Sequence, residues 1–320
     1  MARKALGEAA LAVVRAIDEC WPGGPVLVAC SGGSDSTALA LGAAVVAARR
    51  GTALRAVVVD HGLQPTSAAI ADEVVGRLAA RGVPARARRV SVDLTAGFGL
   101  EAAARAARYE ALAAEAAPGE TVLLGHTRDD QAETVLLGLA RGSGTRSLAG
   151  MPSARGPYRR PLLGLSSATT TQACREFGVE WVEDPHNAEA RFARARIRHT
   201  VLPVLEAELG PGFAEALART AALARQDADT LDELAAAALA GAREGDDLRL
   251  DPAWAGLPAV RARVLRRWLL ERGAAEVTKA HLDAVAELVI AWRGQRWIDL
   301  PGLRVARRAG VLVAAPPPAG

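Results

Sequence analysis

An apolar run, Val26-Leu27-Val28-Ala29-Cys30, passes without a spacer into Ser31-Gly32-Gly33-Ser34-Asp35-Ser36-Thr37, and then into an alanine- and leucine-rich segment reaching Arg49. The run reads as a buried strand and the segment from Ala38 as a helix. A strand, a glycine turn and a helix start together build an anion site. Backbone N–H groups point out of the turn, and the helix N-terminus is the positive end of its dipole. Gly32 and Gly33 let phosphate oxygens approach the backbone with no Cβ in the way, and Ser31, Ser34, Ser36 and Thr37 add hydroxyls. Asp35 repels a phosphate unless a cation stands between them, so its presence predicts Mg2+ arriving with a nucleotide. The loop follows neither the G-x-x-x-x-G-K-S/T nor the G-x-G-x-x-G pattern. The only lysines are Lys4 and Lys279, which leaves no P-loop lysine. A serine-capped helix after a Gly-Gly turn is the plainer account of the same spacing.

The alternation continues down the chain. Residues 54–60, 85–92 and 121–125 read as strands, and 5–19, 67–80, 100–116 and 129–140 as helices. Strands alternating with helices of this length predict an α/β fold with a doubly wound parallel sheet. Ligands of such sheets sit at the carboxyl ends of the strands, where residues 31–36, 60–63 and 125–130 all fall. Asp60-His61-Gly62 ends the second strand; either it lines a nucleotide pocket, or Asp60 caps a turn and His61 is an ordinary loop residue. Gly125-His126-Thr127-Arg128-Asp129-Asp130-Gln131-Ala132-Glu133-Thr134 ends the fourth. Thr127 with Asp130 resembles a capping box, which accounts for one carboxylate. Asp129 and Glu133, four apart, share a helix face. Carboxylates beside a phosphate loop hold Mg2+ or act as general base.

At 320 residues the chain is long enough for two domains. Gly210-Pro211-Gly212 sets the predicted boundary, giving residues 1–210 and a smaller, mostly helical 211–320 with short closing strands near 297–300, 305 and 311–313. Helices are expected over 166–177, 191–209, 213–242 and 259–292. In the 191–209 helix Arg191, Arg194 and Arg198 share a face, opposite a stripe of Ile197, Val201, Leu205 and Leu209; Pro203 is placed to kink it. No run of roughly 18 apolar residues is free of charge, and Glu8 and Asp18 do not suit a signal peptide. Cys20, Cys30 and Cys174 lie far apart with no C-x-x-C, as in a reducing cytoplasm. The pI is about 9.0, yet the net charge is only +3. Residues 141–200 hold ten arginines against five acids, a local surplus that predicts a polyanionic partner. Arg263, Arg266, Arg267, Arg272 and Trp268 are expected to add to a basic surface.

Ser31-Gly32-Gly33-Ser34-Asp35-Ser36 resembles the pyrophosphate-binding loop of the N-type ATP pyrophosphatases, the PP-loop superfamily. With Val59-Asp60-His61-Gly62-Leu63, the 125–134 motif, Arg141-Gly142-Ser143-Gly144, Gly150-Met151, Arg160-Pro161-Leu162-Leu163, Trp181-x-x-Asp184-Pro185-x-Asn187 and Arg194-x-Arg196-Ile197-Arg198, the chain is similar to the tRNA(Ile)-lysidine synthase family. Gln64, His186 and Ala195 depart from its usual residues. The resemblance implies a Rossmann-like PP-loop domain and a small tRNA-binding domain. It also implies a reaction. The C2 oxygen of the wobble cytidine of tRNA(Ile) with a CAU anticodon takes AMP from ATP, pyrophosphate leaves, and free L-lysine displaces AMP to give lysidine. Under it, ATP meets Ser31, Gly32, Gly33, Ser34, Asp35, Ser36, Val59, His61 and Gly125. Asp35 and Asp129 hold Mg2+, and Asp35, Asp129 and Asp130 are catalytic. Glu133, Arg141, Arg160, Arg191, Arg194, Arg196 and Arg198 bind the substrates. The oligomeric state stays open, a homodimer included. The rival within the superfamily is tRNA 2-thiolation, which normally wants paired or catalytic cysteines. Small-molecule amidation lacks a use for the arginine surplus, and a non-catalytic tRNA-binding module has no need of intact Asp35, Asp129 and Asp130.

Overall fold

The computed structural model describes residues 6–62, 65–91, 100–142, 144–182 and 192–317. It divides into two compact units, Met1–Ala224 and Arg225–Gly320. The division falls inside a long helix, beyond the Gly210-Pro211-Gly212 break.

In the first unit α1 (Glu8–Glu19), β1 (Val26–Ala29), α2 (Ser34–Arg50), β2 (Leu54–Asp60), α3 (Ser67–Ala79), β3 (Ala85–Arg89), α4 (Leu100–Glu115), β4 (Thr121–Leu124) and α5 (Arg128–Ala140) alternate as expected. A short helix α6 (Gly144–Leu148) and a small hairpin, β5 (Ala154–Arg155) with β6 (Tyr158–Arg159), come next. A 3-10 turn at Pro161–Gly164 leads to α7 (Ser167–Phe177). The sheet order is β3-β2-β1-β4-β6-β5, parallel except for β5. The chain winds outward both ways from β1, so the order reverses between β1 and β4. The loops leaving those two strands open the crevice where such sheets bind ligands. The alternation of a strand's side chains explains the two layers of helices. Val26 and Val28 of β1 enter an apolar cluster with α1, α2 and α7, whereas Leu27 faces Leu112 of α4. The edge strand β3 is mostly arginine: Arg86 and Arg88 reach Glu115, and Arg89 approaches Asp60. Charge of this kind discourages pairing with another chain.

The region of the predicted 191–209 helix departs from one period. Helix α8 (Ala193–Arg196) passes into a π-helical turn, Ile197–Val201, before α9 (Leu202–Leu209). The wider turn adds a residue and rotates the helix beyond it. The inward position after Ile197 is therefore Leu202, which is buried, whereas Val201 is 40% and Leu209 66% exposed. Pro203 lies in the first turn of α9, where its missing N–H costs little.

The second unit comprises the end of α10 (Phe213–Ala242), β7 (Arg243–Glu244), β8 (Asp247–Arg249), α11 (Pro252–Ala255), α12 (Pro258–Glu271), α13 (Lys279–Ile290), β9 (Ile298–Leu300), β10 (Leu303–Arg308) and β11 (Val311–Ala315). The expected 259–292 helix is two helices, broken at Gly273, whose φ of +96° only glycine adopts freely. The closing strands belong to a five-stranded sheet, β7-β8-β11-β10-β9, antiparallel throughout. It packs against α12 and α13 through Leu248, Val264, Leu265, Leu288, Val305 and Leu312, with Trp254 and Trp268 fully enclosed. The four arginines expected to widen a basic surface here are committed instead. Arg263 pairs with Asp232, Arg267 with Glu271 and Arg272 with Asp246, while Arg266 donates to the Val277 carbonyl at 2.7 Å. Among the described residues no helix is long and apolar enough to cross a membrane.

Gly42 is where α2 meets α1. A Cβ there would stand 2.7 Å from Ile17 Cδ1 and 2.8 Å from Val13 Cγ1. Gly42→Ala gains about 1 kcal/mol of helix propensity but overpacks an enclosed contact at a cost of about 1–3 kcal/mol. It is expected to lower the melting temperature of the first unit; a melting temperature above that of the parent protein would contradict this contact.

Candidate active site

The β1–α2 loop is a braced cradle. Gly32 has φ +88°, and a Cβ on it would stand 2.5 Å from Val74 Cγ2, so conformation and space both demand glycine. The hydroxyls of Ser36 and Thr37 serve the loop itself. Ser36 Oγ accepts from the Ser31 N–H at 3.1 Å and donates to the Gly33 carbonyl at 3.1 Å. Thr37 Oγ1 donates to the Gly32 carbonyl at 3.2 Å. Gly33, the N-cap of α2, provides no side-chain cap, which leaves the first-turn N–H groups facing the crevice. Of the hydroxyls expected to meet a phosphate, Ser31 is exposed and Ser34 half-buried.

Gly125 explains how β4 reaches this cradle. A Cβ there would stand 3.0 Å from Ser36 Cα and 3.1 Å from its backbone nitrogen. Its absence lets the loop after β4 lie against the first turn of α2. The loop leads to Thr127, whose N–H and hydroxyl both donate to Asp130 Oδ2, at 2.8 and 3.1 Å.

The third component is the start of α7. The Ser167 N–H donates to Asp129 Oδ2 at 2.5 Å, and its hydroxyl to Asp35 Oδ2 at 3.4 Å. The same hydroxyl lies 3.0 Å from that of Thr127. Thr170 Oγ1 donates to Asp35 Oδ1, and Thr171 Oγ1 to Ser34 Oγ at 3.2 Å. Three helix N-termini, those of α2, α5 and α7, thus meet at Ser167. Asp35, Asp129, Ser34, Ser167 and Arg198 line a cavity of about 310 Å3 beside them.

The acids divide by partner. Asp35 and Asp129 converge on Ser167. Asp130 and Glu133 converge instead on Arg198, whose Nε donates to Glu133 Oε1 at 2.6 Å and whose second nitrogen meets Asp130 Oδ1 at 3.0 Å. Burial works against the charge on Arg198, and Glu133 and then Asp130 outweigh it. The acids of this helix that share a partner are therefore Asp130 and Glu133, three apart, whereas Asp129 turns to Ser167. Next to them His126 is driven down to about 4 by burial, which outweighs the opposing pull of Asp130 and is reinforced by Arg160, Arg105 and Arg108. It is neutral at physiological pH. Among the described residues its Nδ1 is buried without a partner, as is that of His61.

Among the described residues no group of three or more His, Cys, Asp or Glu side chains is arranged to hold a metal. Asp35 and Asp129, linked through Ser167 at one cavity, supply two carboxylates. That donor set fits Mg2+, which takes one or two carboxylates and fills its octahedron with water and substrate phosphates.

This geometry has relatives. Residues 12–205 match the family model of the PP-loop domain, and residues 252–313 match that of the TilS substrate binding domain. The chain is 50% identical over 302 residues to the tRNA(Ile)-lysidine synthase of Thermobifida fusca, covering 93% of each chain. It is 52% identical over 294 residues to the one from Streptomyces coelicolor, covering 89% of this chain and 83% of that one.

The chain belongs to the tRNA(Ile)-lysidine synthase family. A solved structure, the U34-tRNA thiolase NcsA from Methanococcus maripaludis with its 4Fe-4S cluster, aligns with a TM-score of 0.52 at 16% identity, over 67% of this chain and 77% of that one. At that identity the likeness is one of fold.

The other expected site residues of this lysidine synthase family member have varied surroundings. Val59 lies in β2 against the Leu27 and Val57 cluster, and His61 just beyond the strand. Asp60 accepts the Gly62 N–H at 2.8 Å and so caps its own turn. Arg160 is buried, donating to the Pro152 carbonyl and to the Tyr109 hydroxyl; it ties the hairpin to α4. Arg141 and Arg196 are exposed, and Arg194 is half-buried. Arg191, like Leu63, Gln64 and the Asp184-Pro185-His186-Asn187 run, lies outside the described residues. His126, Ser167 and Thr170 join the site without having been expected there. Ser167 and Thr170 read as an ordinary serine- and threonine-rich helix start, and only the contact across 132 positions gives them another role.

Burial pushes Asp35 up to about 6, against the hydrogen bond from Thr170. The folded protein thus keeps a proton that the unfolded chain, titrating near 3.8, has released. The stability contributed by this group is greatest below about pH 4 and falls as pH rises towards 6. Asp35→Asn is expected to raise the melting temperature of the first unit at neutral pH while abolishing activity, and to leave it unchanged near pH 4. A lower melting temperature at neutral pH would contradict the buried position of this carboxylate. Gly125→Ala is expected to lower kcat at least tenfold with little change in secondary structure by circular dichroism, because the backbone of α2 must shift; full activity would contradict the close approach.

Proposed function

We propose that this protein ligates free L-lysine to C2 of the wobble cytidine of tRNA(Ile) bearing a CAU anticodon, with ATP converted to AMP and pyrophosphate. The observation behind this reading is the meeting of the α2, α5 and α7 N-termini around Asp35 and Asp129, in a chain matching lysidine synthases over nearly its whole length. The first-turn N–H groups of α2 and the Ser31 and Ser34 hydroxyls receive the pyrophosphate that leaves. Asp35 and Asp129 hold Mg2+, which when bound neutralises charge building on the phosphates. Asp129 is also the nearer candidate to take the proton from the incoming ammonium, since Asp130 is engaged by Thr127 and Arg198. Glu133 contributes to substrate binding through Arg198, which it and Asp130 hold at the cavity wall. Neutral His126, whose Nδ1 has no partner among the described residues, is a further candidate to donate or accept a proton. Arg141, Arg194 and Arg196 meet tRNA phosphates.

The reading is tested by incubating the protein with a tRNA(Ile) transcript, ATP, Mg2+ and radiolabelled lysine. Label is expected in the tRNA with one AMP and one pyrophosphate released per lysine, and is lost in Asp35→Ala and Asp129→Ala. Sulfur uptake into the tRNA without lysine would reverse the assignment.

A further inference from the structure

The lining of the active-site cavity comes from two parts of the chain. Ser34, Asp35, Asp129, Ser167 and Arg198 supply hydroxyls and charge, and Leu202, Pro203, Glu206 and Ala214 supply the rest. Those last four belong to one corner, where α9 gives way to the first turn of α10. Apart from Glu206 they are apolar. The chemistry proposed above uses the polar residues and leaves the corner without a part.

Local sequence does not hold this corner in place. Gly210 and Gly212 have φ +98° and +92°, and glycines of this kind leave a turn free to take many shapes. The first N–H groups of α10 have no partner within their own helix. Glu206 answers both needs. One of its oxygens accepts the Gly212 N–H at 2.7 Å and the other the Ala214 N–H at 2.8 Å. Hydrogen bonds from the backbone, that of Ala214 first, hold its carboxyl below the usual range, so it is ionised at neutral pH. A second tie joins the same helix turn to the start of α5: Arg128 Nη1, next to Asp129 in sequence, lies 3.6 Å from Glu215 Oε1. Glu206 therefore fastens α10 to α9 from a place in the cavity lining itself.

A transfer that passes through an adenylated base has two possible nucleophiles at C2. The amine of lysine gives the product. Water in its place forms a C2–O bond as the C2–O bond to AMP breaks, and its protons pass to solvent. The base is then restored, and the net change is ATP and water to AMP and pyrophosphate. Expelling water from a site protects such an intermediate. Carboxylates and hydroxyls hold water, so the apolar part of the lining is the part suited to this task.

We propose that Glu206 is a positioning residue that decides between the two nucleophiles, resting on the function given above for the nature of the intermediate. By fastening α10 to α9 it keeps Leu202, Pro203 and Ala214 at the cavity and water away from the activated base.

AMP release and lysine incorporation are measured together, with tRNA(Ile) transcript, ATP, Mg2+ and radiolabelled lysine. The wild-type protein is expected to release one AMP per lysine. Glu206→Ala is expected to release roughly three or more, with KM for ATP within about twofold, and the excess is expected only when tRNA is present. Ala214→Ser puts a hydroxyl into the lining and leaves the cap intact. It is expected to raise the ratio about twofold at an unchanged melting temperature. Glu208→Ala removes a carboxylate from an exposed position of α9 and is expected to leave the ratio at one. A merely structural role for Glu206 would lower AMP and lysine in proportion, and a ratio of one in Glu206→Ala would overturn the proposal. An equal rise in Glu208→Ala, or excess AMP formed without tRNA, would do the same. Where a thermal melt shows Glu206→Ala unfolded at the assay temperature, Ala214→Ser decides alone. Wild-type protein that incorporates no lysine would count against the function itself.

Discussion

The active-site geometry depends on hydrogen bonds that join three helix N-termini at Ser167. Its N–H holds Asp129 and its hydroxyl reaches Asp35 and Thr127. Each helix end carries partial positive charge from unpaired N–H groups, and three such ends pointed at one another would repel. The two carboxylates resolve this by sitting in the middle of them. They are not free to spread into water, and burial raises Asp35 towards neutrality. A divalent cation with a polyphosphate offers the arrangement both signs of charge at once: a cation for the acids and an anion for the helix ends. Acids and helix ends are thus set against one another in a balance that ligand binding improves, and local compromises of this kind are common at functional positions.

Backbone approach is the second constraint. Gly32 and Gly125 act at different distances from the chemistry. The first shapes the loop, because its positive φ and its contact with Val74 exclude any side chain. The second brings β4 against α2 and so sets where Asp129 and His126 stand relative to the loop. Neither glycine can take over the other's role, and both must be right for one cavity to exist.

The parallel sheet and its crevice were legible because strand ends and glycine turns punctuate an otherwise monotonous sequence. Residues 31–36 and 125–134 could be placed together from topology alone. The hidden features depended on contacts between segments far apart, or on departures from regular period. Ser167 and Thr170 have the signature of any helix cap. The π-helical turn at Ile197–Val201 rotates Val201 outward and Leu202 inward, which no 3.6-residue stripe anticipates. The two-residue strands β5, β6 and β7 are too short to show alternation. Gly273 sits inside a helical pattern dense in alanine and leucine that masks it, though its left-handed conformation ends the helix there.

Arginine was the least legible feature, because its count says nothing of its commitments. Arg160 and Arg198 belong to the expected surplus but are consumed within the first unit, by carbonyl and hydroxyl oxygens in one case and by two carboxylates in the other. Arg263, Arg266, Arg267 and Arg272 are consumed within the second. A guanidinium already paired contributes little to attracting a polyanion, since the field of the pair falls away quickly and salt screens the remainder. The affinity of such a protein for RNA must come from the arginines its own acids leave alone. In the second unit Arg304 and Arg308 gather at the half-buried Trp297, and the small net charge of the whole chain conceals them.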